Sequence, residues 1–250
     1  MADLPGWSPL PSVTPPASDG SGRIVGLVAS EGAVEAGWGA TAALELARSW
    51  SSAGRRVILV DAALRAPSLH RAADVENREG LSDAALHGVS VARVSRSLDD
   101  GGLFLVTAGT PVADPREVVT SGRWQRLSAG MTEAGVLVLL YLREGEAETA
   151  AFLGSASDIV LLSAPGEPTP SAVSELVPLV RAVTGPEDGG SALAGRSGGG
   201  ARPEEAPLSP PARSRAPSGL GEGGVGRVVF LILAALVAAA GLGYLLTSFL

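Results

Sequence analysis

Five short runs of uninterrupted apolar residues constrain this chain more than any other feature: Ile24 to Ala29, Val57 to Val60, Leu103 to Val106, Val136 to Leu140 and Ile159 to Leu162. Alternating apolar and polar residues would mark strands with one wet face. Continuous runs mark strands covered on both faces. Longer stretches of helical character separate them, so the rhythm from Arg23 to about Thr184 predicts one parallel α/β sheet with helices on either side. About 160 residues are enough to bury a single sizeable core.

The flanks have a different composition. Residues 1–22 carry five prolines and an acidic Asp3, with no basic start leading into an apolar run, so they read as a disordered leader and not as a signal peptide. Residues 185–226 hold 23 Gly, Pro or Ser among 42 and no aromatic, which is the composition of a flexible linker. Residues 227–250 follow, and the 23 residues Val228 to Leu250 contain no charged side chain. A helix of that length would span roughly 34 Å, against a bilayer core of about 30 Å. The segment is therefore expected to be a transmembrane tail anchor. Arg213, Arg215 and Arg227 on its N-terminal side place the α/β domain in the cytoplasm, on the inner face of a single-pass membrane protein.

Charge and rare residues exclude several functions. With 19 basic and 26 acidic residues the formal net charge is −7, so binding to nucleic acid by counterion release is not expected. There is no cysteine, which excludes disulfides, thiolate nucleophiles and sulfur-bound zinc. His70 and His87 are the only imidazoles, 17 residues apart with no acid pair nearby, and read as surface or capping residues. All 19 basic residues are arginine. Chemistry that needs a lysine ammonium is thereby closed to this chain.

The first apolar run leads through Ser30-Glu31-Gly32-Ala33-Val34-Glu35-Ala36-Gly37-Trp38-Gly39-Ala40-Thr41 into an Ala/Leu-rich helix, the strand, glycine loop and helix of a phosphate-binding P-loop. The second ends in Asp61 and continues Ala62-Ala63-Leu64-Arg65-Ala66-Pro67. Gly80-Leu81-Ser82-Asp83 closes with Leu86-His87-Gly88, and Ala108-Gly109-Thr110-Pro111 leads to Asp114-Pro115-Arg116-Glu117-Val118-Val119-Thr120-Ser121. In order and spacing these four motifs resemble the bacterial tyrosine kinases (BY-kinases) of capsule and exopolysaccharide synthesis, relatives of the partitioning ATPases. The resemblance implies a P-loop NTPase-like (Rossmann-like) domain that binds ATP and Mg²⁺.

Against that pattern the catalytic groups are missing. Alignment on Ala43, Leu46 and Ala47 puts Gly39 at the loop lysine and Ala40 at the Mg²⁺-binding hydroxyl, and a shift of one residue offers only Trp38. Ile24 to Ala47 contains no arginine but holds Glu31, Glu35 and Glu45. Two like charges 4 Å apart repel by about 4 kcal/mol near a protein surface. The second acid, which in the family helps activate the tyrosine hydroxyl, is Ala63, and the strand that should end in the Walker B aspartate runs into Tyr141-Leu142-Arg143. Gly37, Gly39, Thr41 and Asp61 remain as vestigial nucleotide-binding candidates, Asp61 also as a metal ligand. Taken alone, Asp61 reads first as a strand-end cap or solvated carboxylate, and Arg65 as a solvated arginine. Trp38 is placed to plug a vacated pocket, and Trp124 to sit in the core.

No catalytic residue is assigned, and the loop argues against a bound cofactor. The expectation is a regulatory or scaffolding pseudokinase tied to envelope-polysaccharide machinery or to an active kinase homologue, with self-association open. Two alternatives stand beside it: an ATPase or kinase whose missing cation comes from a partner subunit, and a membrane-bound positioning factor.

Overall fold

The computed structural model describes residues 13–17, 20–99, 102–163 and 167–184. The expected linker at 185–226 and anchor at 227–250 lie outside the described residues. Among the described residues no helix is long and apolar enough to cross a membrane.

Seven strands form one sheet: β1 (Arg23–Ala29), β2 (Val57–Asp61), β3 (Ser95–Ser97), β4 (Leu103–Val106), β5 (Leu137–Arg143), β6 (Asp158–Leu162) and β7 (Val180–Thr184). Their order is β3-β4-β2-β5-β1-β6-β7, and every pairing is parallel except that of β3 with β4. The five expected strands are the five inner ones. The two edge strands escape the apolar rule because an edge is only partly covered: β3 is the polar triplet Ser-Arg-Ser, and β7 mixes Arg181 and Thr184 among its apolar residues.

Strand β5 runs three residues beyond the expected Leu140. With no aspartate and proline to stop it, Tyr141, Leu142 and Arg143 stay in register with Leu27, Val28 and Ala29 of β1.

Successive strand residues face opposite layers. Val25, Leu27, Leu139 and Tyr141 meet α2 (Trp38–Ser52), while Val28, Val138, Leu140 and Leu142 belong to the core layer that holds Trp124 and Met131 of α6 (Gly122–Glu133). The buried face of α2 is Ala40, Ala42, Ala43 and Ala47 with Leu46 and Trp50, small residues that let the helix settle close to the sheet. On the other layer Trp124 is buried, as expected, and meets Phe152 of α7 (Thr149–Leu153) edge to face at 5.8 Å and 76°. Such pairs add about 0.5–1.5 kcal/mol beyond their burial. Two loop motifs end in short helical turns, α3 (Leu69–Ala72) and a π-helical turn at Asp83–His87. With that π-helical turn, the helices α4 (Val91–Val94) and α5 (Arg116–Thr120) complete the Trp124 layer, whereas Leu69 of α3 joins the layer of α2.

Part of the stretch expected to be a disordered leader is seated on the domain. Trp50 is fully buried at the end of α2, and its indole N–H donates to the Val13 carbonyl. The Arg55 guanidinium donates to the Pro16 carbonyl at 2.8 Å. A buried indole N–H needs an acceptor, and this segment supplies it.

Candidate functional site at the carboxyl ends of the strands

In open parallel sheets ligands bind beyond the carboxyl ends of the strands, and all the candidate residues lie there. The glycine loop does not form an open cradle. Residues Glu31–Glu35 close into a helical turn, α1, capped by the Ser30 hydroxyl, which accepts from the Ala33 amide at 3.2 Å. The amides of Val34, Ala36 and Gly37 are bonded within the loop, and the Glu31 amide donates to the Glu144 carboxylate at 3.3 Å. A phosphate cradle needs several free N–H groups aimed at one point. Here most of them are already engaged.

Gly37 takes φ +69 and leads into α2 with its surroundings open, so its glycine character serves the turn between α1 and α2. Gly39 is buried, and a Cβ there would lie 2.9 Å from the Ala29 Cβ and 3.1 Å from the Tyr141 hydroxyl. Trp38 is buried in the apolar layer between α2 and the sheet. Thr41 is half-buried in the first turn of α2.

Tyr141 joins the two halves of the site. It lies opposite Asp61 in the β2–β5 register, and its hydroxyl bonds with Ser68. Burial, followed by the charges of Asp61 and Glu146, pushes the phenol up to about 12. Gly39, Tyr141 and Asp61 are therefore brought together, with a neutral aromatic ring at the strand end where the resemblance would put a metal-binding acid.

Asp61 is fully buried, and its Oδ2 accepts from the amides of Leu69 at 2.9 Å and Ser68 at 3.0 Å. Its Oδ1 has no hydrogen-bond partner among the described residues. Burial pushes the carboxyl up to about 7, although the Leu69, Ser68 and Ala63 amides and Arg143 pull it down. This is a carboxyl capping its own loop. Arg65 is exposed, as a solvated arginine should be, but it also pairs with the fully buried Glu148 at 3.3 Å. Arg143 donates to the Ala66 carbonyl at 3.3 Å, so both arginines tie the loop after β2 to the loop after β5. Glu146 is pushed up to about 7 by burial and by Glu148.

Beside α1 an open cleft is lined by Glu31, Gly32, Glu35, Glu144, Glu167 and Pro168. Among the described residues four carboxylates and no cation line this cleft. Glu31 and Glu35 stand out in the loop, but Glu144, Glu146 and Glu148 were missed; their signal is the run of alternating acids directly after β5. Among the described residues no group of His, Cys, Asp or Glu is arranged to hold a metal ion. The residues present do not fit a Mg²⁺–nucleotide complex. His70 is half-buried and His87 exposed, and neither enters this cluster.

The other two motifs are drawn together into one hydrogen-bonded knot. The Asp83 carboxylate accepts from the Gly80 amide at 2.9 Å, the Thr110 amide at 3.0 Å and the Thr110 hydroxyl at 2.7 Å. Asn77 caps the Gly109 amide at 2.8 Å, and Ser82 donates to the Thr110 carbonyl at 2.7 Å. Gly80 lies so close to the Thr107 carbonyl that no side chain fits, and Gly109 takes φ +85 against the Asp83 carboxylate. These hydrogen bonds fix the loops that follow the sheet.

No family model matches the chain. In sequence it is 31% identical over 86 residues to the tyrosine-protein kinase YwqD of Bacillus subtilis, a match covering 34% of this chain and 36% of that protein. The chain thus spans about a third of the length of the curated relative it matches. In fold it is similar to the kinase domain of the Escherichia coli tyrosine kinase Etk, with a TM-score of 0.56 and 20% identity over 64% of this chain and 66% of that one. The chimerical protein CapA2B2 gives 0.53 and 21% over 66% and 76%, and the kinase domain of VpsO gives 0.53 and 18% over 64% and 83%. At these identities the structural likeness speaks for the fold, a mixed α/β parallel sheet of the P-loop type. In both sequence and fold, the chain resembles the bacterial tyrosine kinases.

Proposed function

We propose that this chain is a non-catalytic, membrane-tethered relative of the bacterial tyrosine kinases, serving as a regulatory or scaffolding subunit in exopolysaccharide or cell-envelope assembly. The closure of the glycine loop into α1 carries the first half of this reading: its amides are engaged, and the cleft beside it is acidic. Phosphoryl transfer depends on positioning and charge neutralisation by a cation and a metal. Among the described residues no cation lines the cleft and no cluster of acids or histidines is arranged for a metal, which supports this reading. The family half rests on the likeness to YwqD, and the tether on the uncharged run Val228 to Leu250.

The full chain in detergent micelles, incubated with labelled ATP and Mg²⁺, is expected to transfer no phosphate to itself or to a tyrosine-containing peptide. Label on phosphotyrosine, abolished by Asp61→Asn, would overturn the reading. In a strain lacking the gene, polymer yield should fall and be restored equally by the wild type and by Asp61→Asn. A variant ending before Val228 should leave the membrane fraction.

A further inference from the structure

The chain holds two Pro-Pro dipeptides, and both sit in the same five-residue pattern: Val13-Thr14-Pro15-Pro16-Ala17 and Leu208-Ser209-Pro210-Pro211-Ala212. An aliphatic residue, a hydroxyl residue, two prolines and an alanine recur in order. Proline fixes φ near −65° and drives the residue before it toward extended backbone, so each pattern is preset for a polyproline II conformation. A polyproline II conformation makes no internal hydrogen bonds, so its carbonyls can be bonded by a partner.

The structure places the first copy. It lies across the end of α2, where Pro16 is buried and Val13 packs against the apolar layer that contains Trp50. The Trp50 indole N–H donates to the Val13 carbonyl and Arg55 to the Pro16 carbonyl. An aromatic donor and a second side-chain donor set against the carbonyls of a proline-rich strand is a recurrent way of binding polyproline segments. Both bonds go to main-chain oxygens, so they read backbone shape and spacing, which the second copy shares. Where side chains differ the changes are small: Leu replaces Val at the apolar contact, and Ser replaces Thr at exposed Thr14.

We propose that Trp50 and Arg55 form a polyproline docking groove that accepts Leu208–Ala212 in exchange for Val13–Ala17. The two flanks of the domain then compete for one site. Exchange would shorten the stretch of sequence between the bound segment or domain and the apolar run at Val228 from residues 185–227 to residues 213–227. The groove thereby sets how far the domain stands from that run. Nothing in this rests on the kinase reading.

The test uses a fluorescent peptide of residues 204–215, titrated into full-length protein and followed by anisotropy. A variant with Pro15, Pro16, Pro210 and Pro211 all replaced by Ser presents an empty groove. The peptide should bind it at least about tenfold more tightly than the wild type. Adding Trp50→Phe, which keeps an aromatic ring and removes the N–H, should weaken binding about five- to tenfold, the share of one hydrogen bond. Because Trp50 is in the core, Arg55→Ala at the surface provides an independent variant with the same expected loss. Equal binding to the wild type and the emptied variant would overturn the proposal, as would indifference to Trp50→Phe and Arg55→Ala. So would binding of a 10–20 peptide without binding of the 204–215 peptide.

Discussion

Replacing Asp83 by Ala is expected to destabilise the domain by about 3–5 kcal/mol, read as a fall in the urea midpoint with an unchanged slope. The carboxylate of this buried residue satisfies the amides of Gly80 and Thr110 and the Thr110 hydroxyl. Truncation strands three donors at once, and each buried unpaired donor costs about 1–3 kcal/mol. Domains of this size have about 5–15 kcal/mol in total, so the variant should stand close to unfolding at body temperature. Burial raises the Asp83 carboxyl, but the Thr110 hydroxyl, the Thr110 amide and the Gly80 amide outweigh it and hold the carboxyl below its ordinary value of 3.8. With its folded value depressed, its contribution is present above the unfolded value and lost only as pH falls below about 4. Asp83→Ala should therefore remove a stabilisation that is constant across neutral pH. A loss under about 1 kcal/mol would show that the knot is not what holds these loops.

Asp61 is expected to act with the opposite sign. Its folded value, about 7, lies above the unfolded 3.8, so its contribution is fully present below about 4 and lost as pH rises through 7. Between pH 5 and 8 that loss should come to about 3 kcal/mol, from about two units at 1.36 kcal/mol each. Glu146 titrates in the same window and adds to the slope. Asp61→Asn keeps an acceptor for Ser68 and Leu69 and cannot ionise. Urea unfolding at pH 5 and pH 8 should differ by about 3 kcal/mol less in this variant than in the wild type. An unchanged difference would mean that the carboxyl is already ionised at pH 5, as a metal ligand would be.

The inner sheet was legible because buried parallel strands must be apolar on both faces, and the runs around Leu27, Leu59, Leu105, Leu139 and Val160 are. The ends of the strands were less so. Strand β5 passes Leu140 because Tyr141 and Leu142 remain compatible with the sheet, and no single residue marks a stop. Helix α1 could have been read from Ser30 as a cap with Glu31 in the first turn, but the glycines at 32, 37 and 39 suggested an open loop. Two of them instead serve a turn and a close helix–strand approach. That the chain has no lysine, and that Ala63 and Tyr141 stand where the resemblance puts acids, was visible residue by residue. What replaces them depends on contacts far apart in sequence: Tyr141 against Gly39, and Glu144 against the Glu31 amide. The seat of Val13 and Pro16 was hidden for the same reason, since composition alone describes the leader and not the indole that needs its carbonyl.

Calorimetric titration of ATP and ADP, with Mg²⁺, into the full-length protein tests the central claim most directly. A closed glycine loop, an acidic cleft and a self-capped Asp61 predict no heat of binding at millimolar nucleotide, in the wild type and in Asp61→Asn alike. Micromolar binding in the wild type that disappears in Asp61→Asn would contradict the account, because it would require the loop to open and Asp61 to hold a metal.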